Sequence, residues 1–283
     1  MHTFQSGWVF FKSAWKTGQQ EQVLFLPVQL FAALSLALTV LILIPVGAIF
    51  AQPATISLFI GLTGFLGIVW IFGLLVLQRL AFALVSRMFS AQLTASRPDW
   101  KAATAQLQHS WLDLAALALT APLAAVFPGL LGRDTSWRRA QYLVVPVMVL
   151  ENLALGAGLL RAGQMAQAKL LRISDNYIGV RYFGRVVGGI LWLGGLLLAL
   201  LVGNLVLNGG PDSGLRRAGG ILAGLLIFAI FGITALAINA YAQAVYHTCL
   251  YTWAVRTEKA HLEMNQEHVQ PPALLATALG LAP

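Results

Sequence analysis

Between Val23 and Ala51 the chain carries no charged side chain. A helix of about 20 apolar residues already crosses the hydrocarbon core of a bilayer, so this run is long enough to span one. Taken as about 23–50, it is followed by similar runs at about 56–84, 113–131, 141–160, 186–207 and 218–246, which makes six candidate spans. Composition points the same way. The chain is 58% hydrophobic and 10% charged, whereas a soluble domain devotes roughly a quarter of its residues to charge. A polar shell cannot be built from so few charges. A membrane β-barrel would show roughly ten-residue segments of alternating polarity, and the sequence has none. The expected fold is therefore all-α: a polytopic integral membrane protein of about six transmembrane helices. The first run is also too long for a secretory h-region and reads as an uncleaved first span.

The third run, "LDLAALALTAPLAAVFPGLLG", is short and carries Pro122 and Pro128. Proline removes a backbone donor, which membranes tolerate only where other groups satisfy the freed carbonyl. This run either crosses or enters only partway. With six spans and a cytoplasmic N-terminus, 13 of the 18 basic residues fall inside. The outer five are Arg133, Arg138, Arg139, Arg216 and Arg217. Such a bias expects a cell (inner) membrane location with both termini in the cytoplasm. The loop "GRDTSWRRA" fits poorly outside; a hairpin at 113–160 that does not fully cross would return it to the cytoplasm.

Outside the spans, residues 1–18 place Phe4, Trp8, Phe11 and Trp15 at spacings of four, three and four, on one helical face. Lys12 and Lys16 lie elsewhere on the wheel. This is the pattern of an interfacial amphipathic helix, aromatics dipping inward and lysines facing anionic lipid. "SRPDWKAATAQLQHSW" predicts a second amphipathic helix that starts at Ser96, with Pro98 just inside. The expected organisation is an interfacial helix (1–18), a six-helix membrane domain (19–256) and a cytoplasmic tail (257–283) with a short apolar end.

Two segments carry a family resemblance. "GWVFFKSAWKTGQQEQVLFLPVQL" is similar to the opening of a family of prokaryotic multi-pass, six-helix membrane proteins, with an aromatic "SW" helix, a polar turn and the start of a first span. "RRAQYLVVPVMVLEN" resembles that family's internal segment, where a proline and a glutamate follow a tryptophan-containing turn. The chain departs from the pattern at "TGQQEQ", where a more charged turn is the rule. The resemblance implies a six-helix membrane fold. It implies no activity, and no functional residue is carried over from it.

The polar residues inside the spans are the candidate site. Glu151 and Asn152 sit near the middle of the fourth run, after Pro146 and before Gly156, Ala157 and Gly158. An ionisable group at that depth costs a few kcal/mol and marks a functional site by default. It either lines a wet path or staples the helix, through backbone freed by Pro146 or a cytoplasmic arginine. In the last run Asn239, Gln243 and His247 recur every four residues, and Tyr251 continues the stripe. With Glu151 they form the one polar constellation expected inside the bilayer. Enzyme motifs are missing: there is no GxSxG, no HExxH, no phosphate-cradling glycine loop and no pair of adjacent carboxylates. The lone Cys249 forms no intramolecular disulfide, and no cofactor or metal is expected. The basic residues hug the membrane face, so membrane lipid is the expected partner, together with a homo-oligomer or membrane-complex partner, and nucleic acid is not. The functional expectation is a channel or permease for an ion or small solute, its path passing Glu151 and the stripe. The alternative is a non-conducting scaffold or accessory subunit that binds lipid or a partner protein.

Overall fold

The computed structural model describes residues 2–51, 56–126, 143–166, 179–209, 213–263 and 269–279. Among them every regular element is helical. We number the α-helices α1 (His2–Gln20), α2 (Leu26–Ala51), α3 (Ile56–Leu93), α4 (Trp100–Val126), α5 (Val144–Glu151), α6 (Leu155–Ala166), α7 (Val180–Asn208), α8 (Gly214–Leu262) and α9 (Ala273–Leu279). A 3₁₀ turn at Gln22–Phe25 precedes α2.

Four stretches, Gln22–Gly47, Gly64–Leu93, Tyr182–Asn208 and Gly214–His261, are helical, long and apolar enough to cross a membrane. They correspond to the first, second, fifth and sixth expected spans. α4, which covers the start of the third, is not among the candidates found within the described residues; the rest of that expected span, from residue 127, lies outside the described residues. The fourth expected span is broken. α5 and the helix that follows it meet at 118°, so together they make a fifth crossing only if the bent pair counts as one span.

The chain divides into two compact units. Unit 2 comprises residues 29–78 and 185–239. Its outer surface is apolar: Ile44 is 66% exposed and Leu197 68%. A soluble protein rarely exposes contiguous apolar surface of more than a few hundred Å², so this surface suits hydrocarbon. The interior is held by close backbone approach and a few polar links. A Cβ added at Gly220 would meet the Gly203 carbonyl oxygen at 3.0 Å, and one at Gly224 would meet that of Ala199 at 3.0 Å. Helices α7 and α8 thus touch through a small-residue seam, the usual way to pack helices where lipid competes for apolar contact. α2 and α3 are joined by Trp70, whose Nε1 donates to Thr39 Oγ1 at 2.9 Å, while that hydroxyl donates to the Ser35 carbonyl at 2.7 Å.

Unit 1 comprises residues 1–28, 79–184 and 240–283. It has an ordinary close-packed core. α5 is apolar all round because it is enclosed: Val144, Val145, Pro146, Val147, Met148 and Val149 are all buried. Phe89, Leu114, Tyr246 and Cys249 belong to the same core. α1 packs against α9, so the short apolar end of the chain joins this core through Leu275. The buried face of α1 is Gly7, Phe10, Ala14 and Gly18, a stripe hidden by its small residues. The aromatic stripe lies beside it. Phe11 meets Phe183 at 5.0 Å and Trp15 meets Phe25 at 4.7 Å between ring centroids, while Phe4, Trp8 and Trp15 keep a third to a half of their surface exposed. Lys12 and Lys16 are exposed.

The second amphipathic helix begins later than the sequence suggests. Asp99, not Ser96, caps α4: its Oδ1 accepts from the Lys101 amide at 2.8 Å. Ser96 instead finishes α3, its amide and its hydroxyl both donating to the Ala91 carbonyl at 3.0 and 2.9 Å.

Candidate functional site at a helix break

A helix that stops inside a packed core strands its last carbonyls and the first amides of its successor. The junction between α5 and α6 shows where each of these goes. Asn152 adopts the left-handed conformation at φ 54° and ψ 47°, and its amide reaches back to the Met148 carbonyl. Asparagine tolerates that region better than most residues, which makes it a natural helix terminator. The Leu153 amide shares the Met148 carbonyl at 3.0 Å. The open carbonyl of Val149 accepts from Gln106 Nε2 at 2.8 Å, and the Leu155 amide, first of α6, donates to Asp113 Oδ2 at 3.3 Å. Gln106 and Asp113 lie two turns apart on one face of α4. One helix thus satisfies both sides of the break. Gly158 completes the corner: a Cβ there would collide with Met148, so only glycine lets α6 fold back on α5.

Pro146 plays no part in the break. It sits in the first turn of α5, where its missing N–H is an orphan in any case.

Glu151 ends α5 at this corner. Its Oε1 accepts from the Tyr251 hydroxyl at 3.0 Å and from Arg161 Nε at 3.4 Å. Arg161 turns its fork to Glu258, with Nη1 donating to Oε1 at 2.9 Å and Nη2 to Oε2. The result is a chain of charge, Tyr251–Glu151–Arg161–Glu258, that ties α5, α6 and α8 together. The three ionic side chains are 25%, 26% and 44% exposed. Solvent therefore screens them, and each ion pair contributes at most about 1 kcal/mol.

The sequence-predicted polar residues do not all meet here. Glu151 reaches Tyr251, the member that continues the stripe, and Asn152 serves the adjoining cap. His247 is one turn away on α8 and 1% exposed; its Nδ1 lies 2.7 Å from the Gln243 carbonyl and its ring packs on Phe82 and Tyr246. Gln243 is half-buried in the same unit. Asn239 belongs to unit 2. Phe4, Trp8, Phe11 and Trp15 sit at the aromatic cluster on Phe183 and Phe25, apart from the ionic chain. Gln106, Asp113 and Glu258 were not foreseen. Two polar residues on one face of a helix with an apolar end were the available signal for the first pair. Nothing in the local sequence of Glu258 names its partner 97 residues away.

No protein-family model, curated protein or solved structure matches this chain.

Proposed function

We propose that this is a non-conducting, four-span membrane protein that binds lipid or a partner at the cytoplasmic face of the cell membrane. In this reading α2, α3, α7 and α8 are the spans. The carrying observation is the state of Glu151. Its carboxylate is taken up by Tyr251 and Arg161, at the end of a helix, α5, whose first six residues are buried. That is the geometry of a staple, and it leaves His247 inside packed protein rather than on a wet wall.

Charge supports the same topology. Crossing the membrane in pairs, α2 with α3 and α7 with α8, would return both termini and the chain between α3 and α7 to one side. Only Arg216 and Arg217 then lie outside, which leaves 16 of the 18 basic residues within. The six-span arrangement puts five outside, so four spans satisfy the positive-inside bias better and bring "GRDTSWRRA" into the cytoplasm. The half-exposed aromatics of α1 beside Lys12 and Lys16 suit the headgroup layer on that side.

Flux through reconstituted vesicles tests the reading. Wild-type protein is expected to leave proton, sodium, potassium and chloride permeability at the empty-vesicle level. Permeation by any of them that Glu151→Gln abolishes, with the variant correctly folded, would establish the transport alternative instead.

A further inference from the structure

Next to the ionic chain, Tyr251 also borders a groove of about 530 Å³, within the size range of ligand sites. All of its wall belongs to unit 1. Arg87 comes from α3, Arg97 from the turn after it, and Arg256 and Lys259 from α8; Asp99 is the acid that faces them. Among the described residues none of these four cations has a carboxylate within ion-pair distance. Asp99 is occupied with capping α4. The hydroxyls on the wall are occupied too. Ser90 donates to the Arg87 carbonyl at 2.8 Å, Thr94 and Ser96 to that of Ala91 at 2.9 Å, and Thr252 to that of Thr248 at 2.8 Å. The donors left over are guanidinium and ammonium groups. A neutral sugar or polyol would find few matching partners. Asp99 offsets one of the four positive charges; the excess repels itself unless a further anion joins it, and arginine forks match phosphate oxygens in shape as well as charge.

We propose that this groove binds a phosphate-bearing anion of the phosphomonoester type, held by Arg87, Arg97, Arg256 and Lys259. The proposal rests on the reading above, which sets this surface beside the anionic inner leaflet. A lipid headgroup and a soluble phosphate ester present the same chemistry, and the experiment separates them.

Full-length protein in an uncharged detergent is titrated with inorganic phosphate at constant ionic strength, and separately with phosphatidic acid against phosphatidylcholine, while the thermal midpoint is followed. Wild type should be stabilised by phosphatidic acid, by phosphate or by both, and phosphatidylcholine should do nothing. Stabilisation by phosphatidic acid alone identifies a lipid headgroup; stabilisation by phosphate identifies recognition of the phosphate itself. Arg97→Gln with Lys259→Gln should raise the half-saturating concentration about tenfold or more, since each lost charged hydrogen bond is worth about that factor. Both side chains are exposed, so the fold is expected to survive, and the ligand-free midpoint checks it. Lys101→Gln with Arg185→Gln removes the same charge outside the groove at exposed positions and should change the response less than about twofold. A wild type that responds to neither probe, or a groove variant that responds like the wild type or like the Lys101/Arg185 control, would overturn the proposal. If the groove variant unfolds, Arg97→Gln alone is read in the same way. Vesicle permeation with phosphate binding intact would remove the non-conducting reading and leave the groove standing.

Discussion

Ala95 ends α3 in the left-handed region, at φ 55°, with its amide bonded to the Gln92 carbonyl at 3.2 Å and the next amide to Ala91. This is a Schellman cap with alanine where glycine is the usual choice. The methyl group is strained there, so Ala95→Gly should stabilise the protein by about 1 kcal/mol, read as a higher unfolding midpoint in detergent. Asn152, the other non-glycine residue with a left-handed φ among the described residues, already has a tolerant side chain. Its polarity made it look like part of a path; its position one residue past the last turn of α5 was the better clue. Glu151 was legible as either path or staple, and Arg161, ten residues on, was the arginine within reach. Replacing Glu151 by Gln keeps an acceptor for Tyr251 and should cost less than about 1 kcal/mol. Glu151→Leu leaves Tyr251 and Arg161 without their shared acceptor and should cost about 2 kcal/mol in the same unfolding measurement. Equal losses for Gln and Leu would mean that the charge, not the hydrogen bonds, holds the corner.

At the scale of elements, the long uninterrupted runs were readable because a membrane span is set by length and polarity alone. The broken fourth run was not, because its stop depends on Gln106 and Asp113, 43 and 42 residues away from the groups they satisfy. Sequence spacing carries no sign of such a pairing. Asp113→Ala should therefore loosen the start of α6, at a cost of about 1–2 kcal/mol, and raise hydrogen exchange at the Leu155 amide above that of wild type. The glycine clusters divide in the same way. A Cβ added at Gly61, Gly64 or Gly67 on α3 would meet nothing within 4 Å among the described residues, whereas Gly220 and Gly224 lie in the α7–α8 seam. Gly224→Leu should push those helices apart, lowering the thermal midpoint by an amount equivalent to about 1–3 kcal/mol. Gly64→Leu should leave it nearly unchanged in a monomer. A loss at Gly64 as large as that at Gly224 would show that a neighbouring chain packs there.

For the whole molecule, the class of fold was visible in composition, while the division into two units was not. α8 explains why. Its 49 residues reach about 73 Å at 1.5 Å each, more than twice the about 30 Å of hydrocarbon. The sequence marks no point along α8 where unit 2 gives way to unit 1, because Tyr241, Tyr246 and Trp253 suit lipid and packed protein alike. The small-residue face of α1 was equally hidden, and only contact with α9 reveals it as core. The central claim is the four-span topology proposed above, in which the polar corner at Glu151 belongs to a packed unit and not to a pore. Ser136, in the loop that six spans would put outside, tests it. In intact cells a cysteine introduced by Ser136→Cys should be protected from a membrane-impermeant thiol reagent, as the buried native Cys249 is expected to be. One introduced by Asp212→Cys, between α7 and α8, should react. Labelling of the Ser136→Cys protein from outside would contradict four spans and return α5 and its carboxylate to the membrane interior.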